Sequence, residues 1–126
     1  MTTAQTPLHK VRGMGSSHSG TGHFWRERIT ALALIPLSLW FVYTMLGMVG
    51  ASVVTPAQFF QHPWNGVLMA AFVSFSLYHA ALGLQVVIED YVHTAGNKIF
   101  SLLAIRGALL ACWIVSIFAI LRITVS

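Results

Sequence analysis

Apolar residues along the chain fall into three long blocks, at about 29–49, 66–88 and 99–123, and nearly all polar residues lie between them. Each block is close to the roughly 20 residues that an α-helix needs to cross a hydrocarbon core of about 30 Å. Backbone groups in hydrocarbon must find their hydrogen bonds within the segment, which favours helices. The pattern therefore predicts an all-α membrane protein with three transmembrane helices in a lipid bilayer.

The segments outside these blocks predict the domain organisation. Residues 1–24 show no hydrophobic periodicity and are predicted to form an N-terminal cytoplasmic tail, followed by the three-helix anchor at 25–126. Residues 50–65 are uncharged and rich in Pro and aromatic side chains, which predicts a loop with a short interfacial helix. Three histidines of the tail lack acidic or Cys neighbours at metal-binding spacing, so no metal site is expected there: His9, His18 and His23.

Composition supports a membrane protein and excludes several function classes. The chain is 56% hydrophobic and 8% charged, whereas about a quarter of the residues of a soluble domain are charged. The net charge is +4, but the basic residues are too scattered to form the patch of a nucleic-acid-binding protein. The single cysteine, Cys112, lies inside the third block, so neither a disulfide framework nor a cysteine metal cluster can form within the chain.

The distribution of basic residues predicts the orientation. Most of them flank the side shared by the N-terminus and the second connection, namely Lys10, Arg12, Arg26, Arg28 and Lys98, whereas Arg122 marks the other side. By the positive-inside rule the N-terminus is cytoplasmic and the C-terminus periplasmic. Arg106 is expected to extend back to the headgroups of the inner side. The lack of an Arg-rich transit segment favours a bacterial inner membrane, with the first helix kept as an uncleaved anchor.

One histidine, His79, lies deep inside the second apolar block. An ionisable ring in a membrane span is costly and is usually functional. Gly83 follows four residues later and Asp90 eleven residues later, so all three share one face of a helix. The missing side chain at Gly83 leaves room for a flat, bulky group such as haem beside the imidazole. A histidine that only hydrogen-bonds a neighbouring helix, with a glycine at a close helix crossing, is the alternative.

The pattern His79-x3-Gly83-x-Gln85-x4-Asp90-Tyr91 on the second of three spans resembles the small hydrophobic membrane anchor of succinate dehydrogenase, respiratory complex II. The first span opens with Arg28-Ile29-Thr30-Ala31, which also resembles that family. The resemblance covers about residues 25–123 and is strongest over 79–93. In complex II this anchor pairs with a companion membrane subunit. A Ser-Pro-His stretch followed by His-Arg, typical of that companion, does not occur in the sequence, so the resemblance favours the hydrophobic anchor.

The resemblance implies a role for each matching residue. His79 matches the axial ligand of haem b, whose second ligand comes from the companion membrane subunit in a heterodimeric membrane bundle. Tyr91 matches a tyrosine that hydrogen-bonds a carbonyl of ubiquinone, and Asp90 matches the acid beside it. Arg28 matches an arginine near the haem propionates and the quinone. Gly83 belongs to the same cofactor-binding pattern.

The resemblance also implies partners and leaves rival functions open. An iron–sulfur subunit and a flavoprotein subunit are expected to dock at the inner surface and to deliver electrons from succinate. The chain carries no flavin or cluster motif, so by itself it is expected to catalyse nothing. The alternatives are an anchor of a quinol:fumarate reductase and a non-redox small membrane subunit for transport or assembly. A transport path normally adds polar residues on several spans, and these are sparse here.

Overall fold

A computed structural model describes residues 6–12, 19–50 and 55–126, and those residues form five α-helices. Expectations that fall on residues 1–5, 13–18 and 51–54 lie outside the described part of the chain. In chain order the helices are α1 (Pro7–Arg12), α2 (Ser19–Gly50), α3 (Pro56–Phe60), α4 (Pro63–Tyr91) and α5 (Ala95–Val125). The predicted all-α fold is confirmed.

Three of the helices are long and apolar enough to cross a bilayer. The candidate spans are Gly20–Val49 in α2, Pro63–Tyr91 in α4 and Ala95–Val125 in α5. Each of them contains one of the three apolar blocks of the sequence, so the predicted number of spans is confirmed. Pro36 lies inside α2 without ending it.

The helices extend beyond the apolar blocks that predicted them. α2 begins at Ser19, whereas the first block begins near Ile29, and α1 lies within the segment that was expected to be a tail without secondary structure. α5 likewise begins at Ala95 rather than near Ile99. Hydropathy marks only the part of a helix that lies in hydrocarbon, while its backbone hydrogen bonds can continue into the polar headgroup layer. The apolar pattern therefore predicts the spans but not the helix ends.

The connection between α2 and α4 contains the expected short helix, α3. Thr55 is its N-cap: its hydroxyl accepts a hydrogen bond from the backbone N–H of Gln58, whose side chain accepts one from the Thr55 N–H. This reciprocal capping box satisfies two backbone donors that the first turn leaves free. Pro56 occupies the first turn, where a missing N–H costs nothing.

The central helix of the bundle is α4, which packs against both α2 and α5. Within the described residues α2 and α5 do not pack against each other. The rings of Phe41 and Phe72 stack with centroids 4.6 Å apart at the α2–α4 contact. At the α4–α5 contact, Trp113 Nε1 donates a hydrogen bond of 2.8 Å to Ser74 Oγ. The second span therefore carries the packing of the three-helix bundle.

A tight helix crossing occurs at Gly66, near the start of α4. A Cβ atom added at Gly66 would lie 2.7 Å from Thr124 Oγ1 on α5. A residue larger than glycine would force the two helices apart or displace the threonine. Nothing in the sequence pattern indicated this contact.

The chain buries little of its own apolar surface. Among the described residues the buried hydrophobic side chains are Phe59, Leu82, Ile88 and Ile120. Large apolar side chains along all three spans are exposed, including Leu39, Leu103 and Phe118. Such surfaces require lipid or other membrane helices around them.

Candidate functional site

His79 lies near the middle of α4 and hydrogen-bonds to α2. Its Nδ1 atom is 2.9 Å from Thr30 Oγ1. Thr30 is only 3% exposed, and it is the buried polar residue of the described chain. The same hydroxyl lies 2.8 Å from the carbonyl oxygen of Arg26 and 3.0 Å from that of Glu27, in the preceding turn of α2. No hydrogen bond to the second ring nitrogen, Nε2, is found within the described residues.

Open space adjoins His79 at Gly83. A Cβ atom added there would meet no atom within 4 Å, so no helix of the described chain crosses closely at this glycine. The close crossing that was the alternative explanation for a glycine occurs at Gly66 instead. Gly83 therefore leaves open space on the His79 face of α4 that no described residue of the chain fills.

The possible metal-ligating side chains suit a cofactor whose metal takes a single ligand from this chain. Among the described residues, no three His, Cys, Asp or Glu side chains come close enough together to hold a metal ion. The porphyrin of a haem supplies four ligands to the iron, so a haem shared between two chains needs only one side-chain ligand from each. His79 fits that requirement, since one ring nitrogen is hydrogen-bonded and the other has no partner in the described part of the chain. Gly83 provides space for the ring.

The continuous α4 fixes the relation of His79 to the acidic and aromatic residues at its end. His79 and Asp90 are eleven residues apart, which places them on one helix face about 16 Å apart along the axis. Tyr91 is turned roughly a third of a turn away from that face. Tyr91 is 80% exposed and Asp90 is also exposed, so neither side chain is engaged by packing within the described chain.

Arg28 lies away from His79. It is two residues from Thr30 on α2, so its side chain is about 200° around the helix from the hydroxyl that meets His79. Its guanidinium carbon is 4.8 Å from the centroid of the Phe24 ring, an arrangement typical of a cation–π contact. Arg28 is exposed. Within this chain the structure therefore does not bring Arg28 together with His79.

Another polar cluster joins α4 to α5. Arg106 Nη2 donates a hydrogen bond of 3.1 Å to Gln85 Oε1, and Gln85 Nε2 donates one of 2.8 Å to Glu89 Oε1. Within the described chain the Arg106 guanidinium is held by Gln85, and its expected reach to the headgroups stays a prediction. Arg26, Gln85 and Arg106 line a groove of about 630 Å³ that reaches Trp113. None of the predicted site residues lines this groove.

His23 is a further residue that sequence reasoning had placed in an unstructured tail. It lies in the first turns of α2, seven residues before Thr30, and so on the same face of that helix. Its Nε2 atom is buried and has no hydrogen-bond partner among the described residues. Buried polar atoms normally have a partner, so a group outside the described chain is needed to complete this one. Only knowledge that α2 begins at Ser19 would have placed His23 on a helix face, and the hydropathy pattern does not show where the helix begins.

Comparison with known proteins identifies the family. The family model described as "Succinate dehydrogenase/Fumarate reductase transmembrane subunit" matches residues 2–121, nearly the whole chain. This chain belongs to that family. Its three candidate membrane spans fit a membrane anchor subunit of succinate dehydrogenase.

Several curated relatives carry the anchor subunit's name. The succinate dehydrogenase hydrophobic membrane anchor subunit of Rickettsia bellii is 38% identical over 110 residues, which cover 81% of this chain and 88% of the relative. That of Paracoccus denitrificans is 31% identical over 93 residues, covering 74% and 72%. The succinate dehydrogenase membrane anchor subunit of Reclinomonas americana is 30% identical over 102 residues, covering 79% and 82%. No solved structure gives a significant match.

These relatives decide between the functions that the sequence left open. They are named as anchors of succinate dehydrogenase, which favours this anchor subunit over a fumarate reductase anchor and over a non-redox transport or assembly subunit. An anchor subunit acts in a membrane as part of a complex with other subunits. The exposed apolar side chains of all three spans are consistent with such surroundings.

Proposed function

We propose that this anchor subunit binds haem b through His79 and forms part of a site where ubiquinone is reduced. The companion membrane subunit would supply the other ligand to the iron, so that both chains would hold the haem. The observation that carries the proposal is the state of His79, a half-buried imidazole near the middle of a span. Its Nε2 has no partner among the described residues, and an open gap adjoins it at Gly83. Family membership supports haem and quinone binding in general.

His79 and Gly83 have complementary tasks in this proposal. Haem b, when bound, supplies a one-electron redox centre. His79 offers the Nε2 lone pair to the iron, while its Nδ1 atom stays hydrogen-bonded to α2. Because Gly83 has no side chain, a planar ring can lie against the backbone of α4 beside His79.

Asp90 and Tyr91 form the quinone end of the same helix. The Tyr91 hydroxyl donates a hydrogen bond to a quinone carbonyl, and Asp90 supports that contact and helps to deliver the protons that the quinone takes up on reduction. Their exposure leaves both side chains accessible to a small molecule. The separation of about 16 Å between His79 and Asp90 along α4 keeps the two sites apart while one rigid helix holds both.

In this proposal Arg28 interacts with haem propionates or with quinone, which are shared with another chain. Its face of α2 is turned away from the helix that carries His79, so it reaches haem propionates or quinone only if these extend to that face. A guanidinium there would stabilise carboxylates, or negative charge that develops on a quinone oxygen during reduction.

The proposal also includes the topology and the soluble partners. With the N-terminus cytoplasmic and the C-terminus periplasmic, Asp90 and Tyr91 lie at the inner surface of a bacterial inner membrane. The iron–sulfur subunit docks there and passes on electrons that the flavoprotein subunit takes from succinate. The connection between α4 and α5 would form part of this docking surface. Lys98 Nζ spans that connection by donating a hydrogen bond of 3.3 Å to the Glu89 carbonyl.

The experiment that tests the proposal compares two histidine variants of the purified complex. His79→Ala is expected to lose the low-spin b-type spectrum, because the iron loses one axial ligand. His93→Ala changes an exposed histidine in the connection after α4 and serves as the matched control. The proposal fails if the His79→Ala complex assembles and keeps the unchanged low-spin spectrum.

A further inference from the structure

We infer that Thr30 is a positioning residue for the haem ligand: its hydroxyl fixes the tautomer and orientation of His79 so that Nε2 carries the free lone pair. This inference rests on the proposed haem ligation. It assigns a role to a residue of the first span that acts through its contact with His79.

The donors and acceptors around Thr30 determine the direction of each hydrogen bond. A threonine hydroxyl has one hydrogen and can accept through its lone pairs. Two of its neighbours, the carbonyl oxygens of Arg26 and Glu27, can only accept. If the hydroxyl donates to the nearer carbonyl, of Arg26, then His79 Nδ1 must carry the hydrogen and donate it to Thr30 Oγ1. The relay therefore runs from imidazole to hydroxyl to backbone carbonyl.

The opposite tautomer leaves a donor without a partner. A hydrogen on Nε2 would meet no acceptor among the described residues, and it would block the nitrogen that an iron needs. The relay through Thr30 satisfies both the imidazole and the hydroxyl. Neutral histidine ligands generally donate a hydrogen bond from the N–H of their second nitrogen to such an acceptor, which orients the ring and raises its basicity.

Burial makes this hydrogen bond hard to replace. Thr30 is 3% exposed, so little room remains for water to substitute for a missing hydroxyl. The hydroxyl is itself held by the backbone of the preceding turn of α2, which restricts its direction. A change of Thr30 should therefore alter the ligand even where the packing volume is kept.

Two substitutions separate the hydroxyl from the shape of the side chain. Thr30→Val keeps the branched shape and removes the acceptor, whereas Thr30→Ser keeps the hydroxyl and removes a methyl group. Thr44→Val is the matched control, because Thr44 is a second threonine of α2 whose hydroxyl bonds within its own helix, to the Trp40 carbonyl at 2.7 Å. If the Thr30→Val complex fails to assemble, Thr30→Ala replaces it.

The readouts are the haem midpoint potential and the electron paramagnetic resonance spectrum of the purified complex. Thr30→Val is expected to shift the potential upward, because an imidazole without its acceptor is a weaker electron donor to the oxidised iron. Its low-spin signal should also broaden as the ring loses its fixed orientation. Thr30→Ser and Thr44→Val should both retain the wild-type values.

Failure of this inference is distinguishable from failure of haem ligation. If His79→Ala loses the low-spin signal while Thr30→Val keeps the wild-type potential and spectrum, the ligand stands and the role of Thr30 is refuted. If Thr30→Ser shifts the potential as far as Thr30→Val does, the effect belongs to packing and the inference is also refuted. If His79→Ala keeps the signal, ligation itself fails and the inference falls with it.

Discussion

Thr30 and His79 are 49 residues apart in the sequence, yet their side chains meet at 2.9 Å across the first two membrane spans. The contact sets which turn of α2 lies at the depth of the histidine. The stacked rings of Phe41 and Phe72 hold the same two helices together farther along. The register of the bundle and the orientation of the proposed haem ligand thus depend on the same helix pair.

Gly83→Leu is predicted to lower the haem content of the purified complex several-fold. A leucine would occupy the gap beside His79 that the proposal assigns to the porphyrin ring, although a Cβ there clashes with nothing in the described chain. Gly107→Leu is the control, because Gly107 also adjoins open space but lies on α5. The measurement is the haem-to-protein ratio, with subunit assembly followed on a native gel. Full haem occupancy in an assembled Gly83→Leu complex would show that the ring lies elsewhere.

Tyr91→Phe is predicted to reduce succinate–quinone reductase activity about tenfold, the effect of losing roughly one hydrogen bond to the quinone. Electron transfer from succinate to a soluble dye should not change, because such a dye takes its electrons directly from the soluble subunits. Tyr43→Phe is a matched control, because Tyr43 and Tyr91 are each 80% exposed and lie on different spans. Equal quinone reductase activity in the two variants would show that Tyr91 is an interfacial aromatic residue without a role in quinone binding.

Gly66→Ala is predicted to destabilise the α4–α5 crossing by about 1–3 kcal/mol, the usual cost of overpacking a tight contact. The added Cβ would lie 2.7 Å from Thr124 Oγ1. Thr124→Ala in the same chain should recover most of the loss by removing the atom that clashes. The melting temperature of the detergent-solubilised complex measures both effects. A double variant no more stable than Gly66→Ala alone would contradict this explanation of the contact.

Labelling of single cysteines tests the predicted orientation. Cys112 is first replaced by alanine, and a cysteine is then introduced at Gln61 or at Asn97, which are both exposed and lie in the two different connections between spans. In intact cells a membrane-impermeant maleimide is expected to label Gln61→Cys and to leave Asn97→Cys unlabelled. The reverse pattern would show that the N-terminus is outside.

The spans and the face shared by His79, Gly83 and Asp90 could be predicted from the sequence, because both depend only on spacing within one helix. Gly83 and Gly66 show where that reasoning ends. Both are glycines in the second span, but only the crossing of α4 and α5 determines that Gly66 packs against Thr124 while Gly83 adjoins open space.

The contacts of α2 were beyond prediction for the same reason. Arg26, Arg28 and Thr30 alternate around the helix, and the face that meets α4 depends on a register between residues 49 positions apart. Thr30 in an apolar block is most simply explained as a hydroxyl bonded back to its own helix. The structure shows that bond together with the contact to His79. The hydrogen bond of Arg106 could not be predicted either, because its partner, Gln85, is on another helix.

The central claim, that His79 supplies an axial ligand to haem b, is tested most directly by imidazole rescue of a His79→Gly complex. Removing the side chain leaves a space the size of the ring in the position of the missing ligand. If His79 binds the iron, the low-spin b-type spectrum is lost in this variant, and added imidazole restores it in a concentration-dependent way. A His79→Gly complex that shows the wild-type low-spin spectrum without imidazole would show that another residue binds the iron.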